Sequence, residues 1–507
     1  MEINGVFDRR RRALFCFLTV FIWGFIAHGY AFGCLSLAHD GMNEFSLSGS
    51  VGYAPLSVAG WKLSIGRFFE PVYLMVLKGG LSTPWLSGIL ALVWIALLLW
   101  VLTRLLPIRS PLAVILSAGI LTVNLTVTAG AAGFMADLDA HMCAAFLSAL
   151  SAYYLMKGGK KRLTAIPCLV ISMGIYQPML SVCLTLVLLA CVMDFIKNKP
   201  VKDVLVKGIW AVLICAASCG VYLLIAKCAC KFFDIAPAES YNGFGSILNF
   251  DDNSVFASVY LTYKEAAGQL LFPVSPWSKP LCVLLRLGIF ALDAFLLIRA
   301  FLREKTRAGN LVWTLLCLIA APLCMNAACF LSGGRSHILM YYAVWMADLL
   351  PLMLLEGEGK APRIVSTVLL GAVLLSCVQT SNALYVHRQS EQTAAVSAMT
   401  RVLDHLEATD GYVPGETEVL LIGVPEPPRK DAFSFTYRLI GSRDTSPISG
   451  ESYYGSFFDY LLPGDIRLCG EARREALTSQ IDVNALPVFP ADGALHWLDG
   501  TLILRLK

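Results

Sequence analysis

From residue 13 to residue 385 the sequence is a succession of apolar segments, most of them about as long as a bilayer is thick. A transmembrane helix takes roughly 20 predominantly apolar residues. Segments that meet or approach this lie at 13–37, 84–103, 111–131, 138–156, 163–176, 178–196, 204–226, 281–301, 311–331, 337–355 and 363–385. The chain is therefore expected to be an α-helical polytopic membrane protein of about 11 transmembrane helices. The first segment is too long for a removable signal peptide and lacks a convincing small-residue cleavage site, so it is read as a span. The two shortest segments flank Tyr176-Gln177-Pro178. They are read as a tight hairpin, with a single kinked helix as the alternative.

Composition agrees with this reading. Of 507 residues, 57% are hydrophobic and 15% charged. Ordinary soluble domains carry about 25% charged residues. A disordered chain is excluded, because disorder needs low hydrophobicity and high net charge. A net charge of +4 gives no sign of a nucleic-acid binder. Of the 16 cysteines only Cys469 lies beyond residue 385. The others sit in or beside apolar segments, where cysteine behaves as a small hydrophobe, and Cys228 and Cys230 do not make a metal motif.

The apolar pattern stops near residue 385. Residues 1–385 are read as the membrane domain and 386–507 as a soluble domain, long enough to bury its own core. Apolar spacing at Val396, Met399, Val402, Leu403 and Leu406 predicts a helix over 388–409. Strands are predicted at 418–424 and 501–506, and a strand or short helix at 433–440. The result is a small α/β domain. Tyr453, Tyr454, Phe457, Phe458 and Tyr460 cluster within it, as core or as a glycan-facing surface.

Basic residues set the orientation, since cytoplasmic loops are enriched in Lys and Arg. With the N-terminus inside, the inner loops carry Arg9–Arg12; Arg104 and Arg109; Lys157, Lys160, Lys161 and Arg162; Lys197, Lys199, Lys202 and Lys207; Arg299, Arg303, Lys305 and Arg307; and Lys360 and Arg363. The longer outer segments carry fewer, among them Lys62, Arg67 and Lys78. This places loop 38–83, loop 227–280 and the C-terminal domain outside the cytoplasm. The half-length apolar stretch 71–81 reads as interfacial or re-entrant.

Charged groups at the membrane are costly and therefore functional suspects. The first apolar segment ends in His39-Asp40, which puts the Asp40 carboxylate at the outer surface, placed to act as a general base or merely to end a helix in water. Asp137 and Asp139 open the fourth segment, with His141 behind them. They could orient a substrate hydroxyl or hold a divalent cation, or simply favour a helix N-terminus. Arg67 in the first loop, Arg286 near the outer end of the eighth segment, and Arg335 with His337 in a glycine-flanked outer turn could bind a lipid phosphate. Headgroup contact for Arg335 and snorkelling for Arg286 are the alternatives. Tyr176 and Gln177 could stack on and hydrogen-bond a sugar, or form a plain turn. Asp293 and Asp348, deeper in their segments, would suit a transporter's proton path or local pairing.

Taken in order, the basic N-terminus, His39-Asp40, Gly66-Arg67-Phe68, Asp137-x-Asp139 and Gly174-Ile175-Tyr176-Gln177 resemble the bacterial O-antigen-modifying membrane glucosyltransferases, the type II glucosyltransferase domain, over roughly residues 10–380. This resemblance implies a C-type glycosyltransferase. Such an enzyme takes a sugar, here glucose first of all, from a polyprenyl-phosphate donor to a cell-surface glycan on the outer face of the cytoplasmic membrane, with inversion. It implies Asp40 as the catalytic base, with Glu44 as the alternative, Asp137 and Asp139 as second-site acids, and Arg67 and Arg335 as donor-phosphate residues. No cofactor is firmly expected beyond a possible divalent metal ion. A transporter or flippase, or a glycan polymerase handling lipid-linked sugars, are the competing readings.

Overall fold

The structure, a computed structural model, describes residues 9–34, 55–79, 83–238, 254–425, 433–440 and 446–507. The chain divides into two compact units, one drawn mainly from residues up to Asn382 and the other mainly from Ala383–Lys507.

The first unit is an α-helical membrane bundle. Among the described residues, seven helices are long and apolar enough to cross a bilayer: Arg10–Gly33, Pro84–Leu105, Gln177–Ile196, Val201–Phe232, Lys279–Glu304, Ala308–Met325 and Lys360–Glu407, the last continuing from Ala383 as part of the second unit. An eighth is possible as a bent pair, Pro111–Thr122 with Leu125–Gly133, which turns by 42°. The other expected spans take different forms. The helix Met135–Lys157 has the length of a span, but the charged residues in its first two turns lower its apolarity. Ala165–Ile175 has only 11 residues. The 337–355 segment is broken into two 3-10 turns and a short helix, Leu349–Leu354.

At both irregular segments side chains of the bundle hydrogen-bond backbone groups, as irregular chain at membrane depth requires. At the bend of the pair, Asn124 Nδ2 donates to Ile120 O (2.9 Å) and Leu121 O (3.1 Å), while its Oδ1 accepts from Val127 N (3.1 Å). The 337–355 segment packs on the same bend. Tyr342 Oη donates to Leu121 O at 3.0 Å and Thr126 Oγ1 to Ile338 O at 3.0 Å.

Helices that position the polar site are labelled in chain order. They are α1 (Pro55–Ser64), α2 (Glu70–Lys78), α3 (Pro84–Leu105), α4 (Met135–Lys157), α5 (Ala165–Ile175) and α6 (Val201–Phe232). α1 and α2 are too short to span. The stretch 71–81, expected to be interfacial or re-entrant, is mostly α2, and α2 buries Glu70, Tyr73 and Lys78.

The second unit holds a four-stranded sheet in the order β2-β1-β4-β3, with β1 Glu418–Ile422, β2 Arg467–Leu468, β3 Leu495–Leu498 and β4 Thr501–Arg505. β1 runs parallel to β4 and β2, and β3 is antiparallel to β4. Asp499 and Gly500, both with positive φ (47° and 76°), make the two-residue hairpin between β3 and β4. Strand residues alternate between faces. Val419, Leu421, Leu502 and Leu504 pack with Met399, Val402, Leu406, Phe457 and Phe458. Leu420, Ile422 and Ile503 pack with Leu477 on the other face. Tyr454, Phe457 and Phe458 are thus core residues, with Tyr453 and Tyr460 packed against them.

Candidate functional site

The loop between α1 and α2 is held by three separate elements. Gly66 takes φ +85°, a left-handed conformation that suits glycine, and lets the chain reverse after α1. Its N–H donates to Leu63 O (2.9 Å), and Arg67 N donates to Lys62 O (2.7 Å). From the break after α5, Gln177 Nε2 donates to Ile65 O (2.7 Å) and to Tyr222 Oη (2.9 Å). Tyr222, on α6, donates in turn to Gly66 O (3.2 Å). Phe69 N donates to Gly174 O at 2.8 Å. The loop is therefore clamped at Ile65, Gly66 and Phe69, and the residues beside the clamps are Arg67 and Glu70.

Those two residues meet the first turn of α4. Glu70, Asp137 and His141 each point one ligand atom to a common place, all within 4.8 Å of one another. All three are buried, Glu70 completely. Lys62 Nζ is ion-paired with Asp137 and lies 3.4 Å from Glu70 Oε1. Arg67 Nη1 lies 3.5 Å from Glu70 Oε2 and 3.9 Å from Asp137 Oδ2. His141 Nε2 is 3.8 Å from Glu70 Oε1. Tyr176 covers the group, its ring 3.9 Å from the His141 ring and 24° from parallel, with the Arg67 guanidinium 4.8 Å from its own centroid. Glu70 lies outside the spanning helices. Burial, reinforced by the neighbouring Asp137 carboxylate, pushes its carboxyl up to about 7, against the pull of Lys62 and Arg67.

A second network runs beside the first. Asp139 Oδ1 accepts from Lys78 Nζ (2.9 Å) and its Oδ2 from Tyr73 Oη (3.0 Å). Lys78 also donates to Ser87 Oγ (3.1 Å) and to Ala136 O. Trp94 Nε1 donates to Tyr73 Oη at 2.8 Å. Asp139 is fully buried with both oxygens engaged, so its geometry is that of a residue fixing α2 and α3 against α4.

Five of the residues singled out in the sequence thus come together: Arg67, Asp137, Asp139, Tyr176 and Gln177. Arg286 is elsewhere. It is buried, and its Nη1 donates to both carboxylate oxygens of Asp348 at 2.7 Å. This pairing accounts for both residues within the bundle, in place of snorkelling for Arg286. Arg335 and His337 are exposed in the Gly333-Gly334 turn, where His337 Nδ1 accepts from Leu339 N (3.4 Å). Asp40 and Glu44 lie outside the described residues. Sequence reasoning did not single out Lys62, Tyr73, Lys78 or Tyr222 as site residues, and it noted Glu70 only as one of the acids at the outer membrane edge. Its available signal was the set of polar residues at 62, 70, 73 and 78 punctuating two short apolar helices.

The arrangement is a buried cluster of opposite charges beside one partly exposed arginine. Two carboxylates and an imidazole face inward, two cations stand behind them, and an aromatic ring lies to one side. A family model described as glucosyl transferase GtrII matches residues 56–352, more than half of the chain. All the residues of both networks fall inside that range, whereas Asp40 and Glu44 precede it. No curated protein and no solved structure gives a significant match.

Proposed function

Because the chain belongs to the GtrII glucosyl transferase family, we propose that it moves one glucosyl residue from a polyprenyl-phosphate donor to a cell-surface glycan acceptor at the outer face of the cytoplasmic membrane. The observation that carries this reading is the buried polar cluster of Lys62, Arg67, Glu70, Asp137 and His141, lying within the family match and built on an apolar helical bundle. The loop distribution of Lys and Arg supports an N-terminus in the cytoplasm, with the first loop and residues 386–507 on the far side.

At the anomeric carbon the reaction makes one bond and breaks one. The acceptor hydroxyl oxygen attacks the anomeric carbon as the bond from that carbon to the donor phosphate oxygen breaks. Both electrons of the broken bond stay on phosphate, leaving polyprenyl phosphate. The hydroxyl proton passes to a carboxylate base, for which Asp40 is the first candidate and Glu44 the second. Attack opposite the leaving phosphate inverts the anomeric centre through an oxocarbenium-like state. Arg67, partly open to solvent at 15% side-chain exposure, is the cation placed to approach the phosphate.

The test is Asp40→Asn and Glu44→Gln in membranes given radiolabelled polyprenyl-phosphate glucose and the acceptor glycan. Loss of the true base lowers transfer by roughly 10²–10⁴-fold. Full transfer by both variants at normal membrane levels removes these residues from the base role.

A further inference from the structure

We propose that Glu70, Asp137 and His141, brought together by α2 and the first turns of α4, form a binding site for one divalent first-row cation of the Mn2+ or Zn2+ kind. One oxygen from each carboxylate and one imidazole nitrogen already lie within 4.8 Å of one another. Ligands around such an ion sit about 2.0–2.2 Å from it, and so about 3–3.5 Å apart.

The second observation is independent of the cluster's acidity. His141 Nε2 is buried without a hydrogen-bond partner, 3.8 Å from Glu70 Oε1, and Asp137 Oδ1 also has none; the Glu70 oxygens have only the long ion pairs to Lys62 and Arg67, at 3.4 and 3.5 Å. Buried side-chain polar atoms normally have a partner. An ion held by one oxygen of each carboxylate and by His141 Nε2 would supply the missing partner.

The surroundings fit this assignment. Lys62 holds Asp137 by Oδ2, and Oδ1 has no hydrogen-bond partner. Arg67 lies on the Oε2 side of Glu70. Tyr176, stacked on the His141 ring, fixes its plane. Groups behind a metal's ligands orient them in this way. Two carboxylates with an imidazole suit Mn2+ or Zn2+ better than Mg2+ or Ca2+, which favour all-oxygen sites. Asp139 is not a ligand, because Lys78 and Tyr73 take its oxygens. Three protein ligands leave positions open, and with Lys62 and Arg67 alongside, the ligand chemistry at those positions is that of a phosphate oxygen.

Binding is read without sugar transfer, so this site and the transfer reaction can fail separately. Purified full-length protein in detergent, stripped with chelator, is titrated with Mn2+ and followed by electron paramagnetic resonance. About one ion per chain is expected. Its spin-echo modulation should show coupling to a single imidazole 14N. Glu70→Gln and His141→Gln should weaken binding at least tenfold, and His141→Gln should also erase the nitrogen coupling. Absence of stoichiometric binding, or bound Mn2+ with no coupled nitrogen in the unaltered protein, overturns the assignment. The second readout stands even if a variant fails to fold.

Discussion

Gly174 is the position where a single methyl group reaches the site. A Cβ there would lie 2.8 Å from Cε2 and Cζ of Phe68 and 3.2 Å from Cβ of Phe69. Carbon atoms rest at about 3.5–4.0 Å, so Gly174→Ala forces the loop to retreat by about 0.7–1.2 Å. The Phe68 ring has little room to swing, because it stacks on Tyr222 with centroids 5.8 Å apart. The Phe69 N–H is tied to Gly174 O at 2.8 Å, so the backbone follows. Arg67 and Glu70 flank these two phenylalanines and move with them. Overpacking of this kind costs about 1–3 kcal/mol of stability. A misplacement of about 1 Å at a reacting site costs up to about 100-fold in rate. Gly174→Ala is therefore expected to reach the membrane in near-normal amount and to transfer sugar roughly 10–100-fold more slowly. Phe68→Leu in the same chain, by shrinking the side chain that is struck, should restore part of the rate. The assay is transfer of labelled glucose in membrane vesicles, normalised to the amount of inserted protein. A wild-type rate for Gly174→Ala would refute the reasoning, as would a loss that Phe68→Leu does nothing to reverse.

Two further predictions concern the buried pairs. Lys78→Met leaves the Asp139 carboxylate buried with only Tyr73 as a partner, and breaking such a pair costs about 3–5 kcal/mol. Thermal unfolding in detergent should fall sharply for Lys78→Met and recover in Lys78→Met with Asp139→Asn; equal unfolding temperatures for all three chains would show that the pair carries no such weight. Arg286→Met should act likewise through Asp348, with Asp348→Leu added as the rescuing change, again about 3–5 kcal/mol for the single variant. An unchanged unfolding temperature would mean that water or lipid already satisfies Asp348.

The sequence carries the helical membrane class openly, because the apolar runs are long and charge is sparse within them. It carries the break at Tyr176-Gln177-Pro178 but not the others. Residues 337–355 are as apolar as a continuous span, yet the chain there turns through 3-10 segments that pack on the Asn124 bend. Composition cannot distinguish a straight apolar helix from a broken one whose backbone is satisfied by distant residues. In the site, Arg67, Asp137, Asp139, Tyr176 and Gln177 stood out because they are polar in apolar surroundings. Lys62 and Lys78 did not, since a lysine in a loop reads as a solvated charge until its burial against α4 is known. Asp137 and Asp139 read as one pair, but residues two apart on a helix diverge by roughly 200°. One faces Glu70 and His141, and the other faces Lys78 and Tyr73. The strands at 418–422 and 501–505 were legible from their apolar runs, while the pairing of β1 with β4, across most of the intervening chain, was not.

The donor is the central claim, and it can be measured directly. Purified protein in liposomes is given an acceptor glycan with either polyprenyl-phosphate-linked or nucleotide-linked radiolabelled glucose. The account predicts one glucosyl residue added per acceptor site from the polyprenyl-phosphate donor, with none from the nucleotide sugar, and a large loss of that transfer in Arg67→Ala. Transfer from the nucleotide sugar alone would contradict it, as would a product ladder of repeat units.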